Sequence, residues 1–296
     1  SVVGSWDFYI WKLLKKELEI EEISIRNATF DTRDFIDGVV VNGHLGELYL
    51  ESHGVVFSPE TARINEFSVK NTDVSLTLEN MEDTDTTTTE PIYWKILLDE
   101  IDFENVGFAL NMPQDSLFVR TMLPKTTLKD GVIDLKEASY YVKSFDMDNA
   151  ELAYGPKEEL SLKKIGLQLD SIYYCGRDIR ANVEEFVFKE RSGLELVSTE
   201  GCIASDSVLI QIPKFTMKTT ASSLDLQTKI GWDVLEMKKT GVLSAKINAE
   251  IGKGDVAKIL GGRDTLFLQT YPNKPFVFRA DAEGNLNSLR LRTLEA

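Results

Sequence analysis

Along most of the chain apolar and polar residues alternate one for one, as in Val74-Ser75-Leu76-Thr77-Leu78 and Leu160-Ser161-Leu162. A strand sends successive side chains to opposite faces, so this period predicts half-buried β-strands with one apolar and one wetted face. Helical spacing is rare. Lys12 to Glu19 reads as a helix, after Trp6 to Trp11, which reads as a strand; Gly254 to Leu260 reads as a short helix stopped by Gly261-Gly262. Residues 79–91 form an acidic, threonine-rich stretch with no apolar face that ends at Pro91, and they predict a mobile loop.

Four segments share one template: Glu22-Ile23-Ser24-Ile25-Arg26-Asn27, Glu66-Phe67-Ser68-Val69-Lys70-Asn71, Glu100-Ile101-Asp102-Phe103-Glu104-Asn105 and Ser144-Phe145-Asp146-Met147-Asp148-Asn149. Asn27 and Asn105 lie 78 residues apart, as do Asn71 and Asn149, so the repeating unit is larger than one hairpin. A degenerate pair comes next without the asparagine, at Lys164-Ile165-Gly166-Leu167 and Lys214-Phe215-Thr216-Met217. The approximate repeats are 18–95, 96–158, 159–230 and a remainder 231–296, all within one elongated region.

In each copy the apolar parity switches at the asparagine: Ile23 and Ile25 give way to Ala28 and Phe30, and Ile101 and Phe103 to Val106, Phe108 and Leu110. Such a switch throws the second half onto the wrong face unless one residue is absorbed at the asparagine. Asn27, Asn71, Asn105 and Asn149 are therefore candidate strand bends, asparagine being one of the few non-glycine residues that tolerates left-handed backbone. The degenerate copies read the same way, with Ile165 and Leu167 succeeded by Ile172 and Tyr174, and Phe215 and Met217 by Leu224 and Leu226. Bent strands with one apolar face line either a curved trough or the corners of a closed sandwich or barrel.

With 296 residues, 43% apolar and 27% charged, the chain can bury a sizeable core, and no apolar run is long enough to span a bilayer as a helix. No signal peptide is visible, so any targeting or anchoring segment is expected outside these residues. A net charge of −15 with scattered Lys and Arg speaks against nucleic acid. Cys175 and Cys202 make no metal pattern and no CxxC; they are either one disulfide or two inert thiols.

Catalytic patterns are missing. His44 and His53 sit in turn-like contexts outside any HExxH, and neither GxSxG, GxxxxGK[ST] nor GxGxxG occurs. Asp146, Asp148 and Asn149 resemble the start of a calcium loop but lack its glycine and its bidentate glutamate. The chain is expected to be non-enzymatic and to hold no cofactor.

The asparagine-ended strands, together with the ending Tyr271 to Ala280 and Gly284 to Leu291, resemble the repeated body of the AsmA/TamB family in its Bacteroidetes form, among the bridge-like lipid transfer proteins. The resemblance covers essentially the whole chain. It implies an all-β fold: an elongated, curled, antiparallel-type sheet forming a trough, with one or two short helices. It further implies a periplasmic location, an inner-membrane anchor outside these residues and an outer-membrane assembly partner. The implied cargo is phospholipid or another acyl-chain lipid moving between the two membranes. About 15 strands at ~4.8 Å would give a trough roughly 70 Å long. Its candidate lining is Ile23, Ile25, Phe67, Val69, Ile101, Phe103, Phe108, Phe145, Met147, Leu167, Phe186, Phe188, Phe215 and Met217. The alternative is a structural or adhesive β-repeat module with a closed core.

Overall fold

A computed structural model describes residues 21–34, 38–57, 60–79, 93–237, 241–261 and 263–295. Their strands are β1 (Glu22–Asp34), β2 (Val39–Phe57), β3 (Glu60–Leu78), β4 (Lys95–Met112), β5 (Leu117–Asp134), β6 (Ser139–Tyr154) and β7 (Leu160–Cys175). The series continues with β8 (Asp178–Glu190), β9 (Glu195–Ser205), β10 (Leu209–Thr219), β11 (Ser223–Gly231), β12 (Leu243–Ile251), β13 (Phe276–Gly284) and β14 (Leu289–Glu295). All fourteen pair in chain order into one open, elongated, curled sheet. Helix α1 (Trp232–Leu235) comes after β11; α2 (Lys253–Leu260) and α3 (Thr265–Thr270) lie between β12 and β13.

The expected all-β sheet forms, with two departures in detail. Three short helices are present among the described residues rather than one or two, because α1 and α3 span 4 and 6 residues, too few to show a helical period. The sheet is also mixed: β3 and β4 run parallel, while every other neighbouring pair is antiparallel. The 78-residue repeat explains the exception, since it spans three strands and matches β1 and β3 to β4 and β6. An odd number of antiparallel strands repeated in the same orientation sets the last strand of one unit parallel to the first of the next. After β6 the alternation resumes across the turn at 155–159, with β6 and β7 antiparallel. The expected segments Trp6 to Trp11 and Lys12 to Glu19, and residues 80–91 of the acidic stretch, lie outside the described residues.

Two lines of backbone kinks cross the wide end of the sheet. Pairing of β1 with β2 stops at Arg26↔Glu47 and resumes at Ala28↔Leu45, leaving Asn27 opposite Gly46. The same line continues to Asn71 in β3, Asn105 in β4, Pro124 in β5 and Asn149 in β6. Asn27, Asn71, Asn105 and Asn149 have φ of 52°, 50°, 54° and 54°, and Lys164 extends the line into β7 at 52°. Each left-handed residue uses up one position, so the apolar side chains before and after it share a face. The residues opposite fit for physical reasons. A Cβ on Gly46 would strike the Asn71 carbonyl oxygen, and Pro124 has no N–H to leave unpaired. Where two asparagines meet in the parallel pair, Asn105 Nδ2 donates to Asn71 Oδ1 at 3.3 Å.

The second line passes through Asn65, Asp99, Asp130, Lys143 and Ser171, with Asp130 at φ 52° and Ser171 at 55°. Polar side chains stitch it: Asn65 Nδ2 donates to Asp99 Oδ2 at 2.9 Å, and Lys143 Nζ pairs with Asp130 Oδ2 at 2.9 Å. Between the lines lies a floor five residues wide in β3 (66–70), β4 (100–104), β5 (125–129) and β6 (144–148), about 17 Å across. The lines fade later in the sheet: β11, β12 and β13 pair without a register break. Strand length falls with them, from 19 residues in β2 and β3 to 7 in β14.

One expectation is corrected. The parity change from Phe215 and Met217 to Leu224 and Leu226 is not a bend within one strand, because these residues sit on separate strands, β10 and β11, joined by a turn. The hairpin pairs Met217 with Leu224 and Phe215 with Leu226, so the residue numbers change parity across the turn while the face stays the same.

Replacing Asn105 with valine should cost about 2 kcal/mol, because a β-branched residue is strained in left-handed backbone, whereas Asn105→Gly should cost under about 1. Urea unfolding of the purified variants monitored by circular dichroism checks this; equal midpoints for the two would contradict it.

Candidate functional site

The register defines one row of side chains that crosses all fourteen strands. It runs Ile23, Leu50, Phe67, Ile101, Leu128, Phe145, Leu169, then Val183, Gly201, Phe215, Leu226, Ile247, Ala280 and Leu294. No member is charged or polar. Its thirteen strand-to-strand steps give a stripe about 62 Å long. A second row on the same face runs Ile25, Leu48, Val69, Phe103, Thr126, Met147, Leu167 and Phe186.

All fourteen residues named from the sequence as lining fall on this one face. Phe108 reaches it beyond the first kink line, paired with Val74 and Thr121. Phe188 pairs with Leu196, and Met217 with Thr199 and Leu224. Phe67 meets Phe103 edge-on at 6.3 Å, and Phe186 meets Phe188 at 5.4 Å. Leu48, Leu50, Leu128, Leu169 and Leu226 are among the row members absent from the sequence-derived set, although all stand at alternating positions. The kinks also bring Leu98 onto this face: a Cβ on Gly131 would touch both Leu98 and Leu128, which lie on opposite sides of the second line.

This face has no second layer among the described residues, since every described strand belongs to the first sheet. Accordingly no large side chain among them is fully buried, and Ile23, Ile25 and Phe108 are about two-fifths exposed, at 37%, 41% and 38%. The other face carries charge. Arg26, Glu47, Lys70, Glu104, Lys125 and Asp148 stand side by side in one row with alternating sign. Arg26 pairs with Glu47 at 3.2 Å and Lys70 with Glu104 at 3.5 Å, exposed contacts worth under about 1 kcal/mol each. Hydrogen bonding to Glu100 raises the Lys129 ammonium above its ordinary pKa, and Glu200 does the same for Lys214. A depression of about 740 Å³ on this face is walled by Glu100, Asp102, Lys125, Thr127, Asp146 and Gln168 among others; it is an open gap between long paired side chains.

Reactive chemistry is sparse. His44 contacts the Thr29 hydroxyl at 3.5 Å, the outer limit of a hydrogen bond, and His53 contacts Asn65 Oδ1 at 2.5 Å. Cys175 and Cys202 are free thiols, on strands that do not pair with each other. Among the described residues no group of His, Cys, Asp or Glu is arranged to hold a metal, and no helix is long and apolar enough to cross a membrane.

A buried carboxylate on a helix braces the narrow end. Asp255, in α2, is 3% exposed and accepts hydrogen bonds from Thr219 Oγ1 and, at 2.7 Å, from Ser222 Oγ in the β10–β11 turn. Lys258 Nζ stands 3.6 Å away. Burial works to raise its pKa, but the Thr219 and Ser222 hydroxyls and the Lys258 charge override it and hold the carboxyl below its ordinary 3.8. A depressed carboxylate stabilises the fold fully above the unfolded value and loses that contribution as pH falls through the folded one. Asp255→Ala should therefore weaken the docking of α2 by about 2 kcal/mol at neutral pH, with the difference from the parent shrinking below about pH 4. Hydrogen exchange of the α2 amides against pH measures it; protection that is unchanged in the variant would refute the brace.

No protein-family model matches the chain, and no curated protein matches it.

Proposed function

We propose that this chain is a segment of a lipid-carrying trough of the AsmA/TamB type, non-enzymatic, in which the apolar face shields acyl chains from water. The observation that carries the reading is the unbroken apolar row across fourteen strands with no second layer among the described residues to cover it. Exposed apolar area on this scale marks a binding surface rather than ordinary exterior. A 16-carbon acyl chain removed from water gains roughly 12 kcal/mol at ~0.8 kcal/mol per methylene, so apolar lining alone suffices to hold it.

Side-chain crowding supports taking the apolar face as the inner one. Every buried strand side chain except Ser68 and Ala153 lies on it, including Val69, Leu98, Ala150, Ile165 and Leu196. In this reading the trough belongs to a longer periplasmic protein anchored in the inner membrane and engaged with an outer-membrane assembly partner. Its cargo is phospholipid passing between the two membranes. A structural or adhesive module with a closed core is less well supported, because such a core needs a second layer and the described strands supply none.

Titration with a fluorescent fatty acid should show saturable, micromolar uptake, and organic extraction of the purified chain should yield phospholipid. Leu128→Glu in the middle of the row should weaken uptake at least about tenfold, since a buried unpaired charge is costly. Gln168→Glu on the charged face should leave it unchanged. Absence of both uptake and extracted lipid, or equal effects of the two substitutions, would sink the proposal.

A further inference from the structure

We infer that the helical tip formed by α2, α3 and the loop to β13 is a docking surface for an anionic lipid bilayer. Two independent properties of residues 252–275 point there. The first is charge: Lys253, Lys258, Arg263 and Lys274 stand against Asp255 and Asp264, a net +2 within a chain of net −15. Asp255 and Lys258 are taken up by each other at 3.6 Å and by the Thr219, Thr220 and Ser222 hydroxyls, which leaves Lys253, Arg263 and Lys274 against Asp264, still a net +2. The second is exposed apolar area: Leu266 is 75%, Ile259 69% and Phe267 48% exposed, large side chains on short helices. Basic and apolar side chains together on one projecting element match the interface of an anionic membrane, where acyl boundary and phosphate headgroups take each in turn.

The tip is also joined to the apolar face. Phe267 stacks edge-on against Tyr271 at 5.7 Å, and the Tyr271 hydroxyl donates to the Ile251 carbonyl at 2.8 Å. Ile251 pairs with Phe276, and both lie on the apolar face, 38% exposed each. The apolar face therefore reaches the foot of the tip, at the end where the strands are shortest. The Lys253 ammonium, bonded to the Tyr271 carbonyl at 3.2 Å, ties the loop to the start of α2 and holds the tip as one unit.

The test is flotation of the whole chain with vesicles of phosphatidylcholine alone and with added phosphatidylglycerol. Binding is expected to the mixed vesicles, to fall as salt rises, and to be weak on the neutral ones. Arg263→Glu with Lys274→Glu should reduce binding at least about tenfold, and Leu266→Asp with Phe267→Asp should abolish it. All four side chains are exposed, so circular dichroism of the variants should match the parent. Absence of flotation at any composition overturns the inference. So does binding that the substitutions leave intact, or a parent that self-associates through the tip, seen as a fall in light-scattering mass on Leu266→Asp. Fatty-acid uptake in solution should persist in the tip variants, so failure of uptake and failure of docking are separately readable.

Discussion

The structure depends on one geometric constraint: a strand's side chains alternate with period two, and here one face must remain apolar along strands of up to 19 residues that also bend. A bend that uses up one residue reverses the alternation, so the sequence must reverse its apolar parity at the same position. In β4 that reversal keeps Val106, Phe108 and Leu110 on the apolar face. Three half-buried side chains at about 1 kcal/mol each outweigh the strain of one left-handed asparagine, of order 1 kcal/mol. The balance favours the bend, although only where the residue tolerates it.

The constraint is collective. Because neighbouring strands are hydrogen-bonded, a kink in one must be met in the next, which is why Asn27, Gly46, Asn71, Asn105, Pro124 and Asn149 form one continuous line. Each of these types answers a different part of the problem. Asparagine accepts the left-handed φ, glycine makes room where a Cβ would strike Asn71, and proline removes a donor that has no acceptor. A kink line is therefore a property of the sheet, and a single unsuited residue is felt by the strands on both sides.

Much of this is legible in the sequence, because the signal is local and repeated. The alternation marks the strands, and the parity switch locates the kinks at four asparagines with φ between 50° and 54°. The second line is read only in part: the change from Ile165 and Leu167 to Ile172 and Tyr174 marks it in β7, at Ser171, but in β4 it passes unread although Ile96 and Leu98 have the opposite parity to Ile101 and Phe103, with Asp99 between. It is obscured because the line mixes asparagine, aspartate, lysine and serine (Asn65, Asp99, Asp130, Lys143 and Ser171), whereas the first line repeats asparagine. The β10–β11 hairpin misleads for a related reason: a turn and a kink leave the same parity change, and only the pairing of Met217 with Leu224 separates them. The parallel pair is beyond reach of local patterns, since strand direction depends on where a connection returns.

The wide and narrow ends differ in what holds them. From β3 to β7 two kink lines frame a floor, and the face opposite the apolar rows is laced by exposed ion pairs such as Glu100–Lys129 at 2.9 Å. Such pairs contribute little stability individually, so the wide end relies on long ladders of backbone hydrogen bonds and on apolar contacts within a single layer. Beyond β10 the strands shorten and the helices take over, with α2 clamped to the β10–β11 turn through Asp255. A sheet that covers only one face of its own apolar rows leaves the other side of those rows to whatever occupies it. Under the lipid reading the guest supplies the missing layer, and the wide, kinked end, with its longest strands, is where a tail gains the most contact. The narrow end gains the least, which is where, under the same reading, a tail would be released most easily, beside the basic and apolar tip.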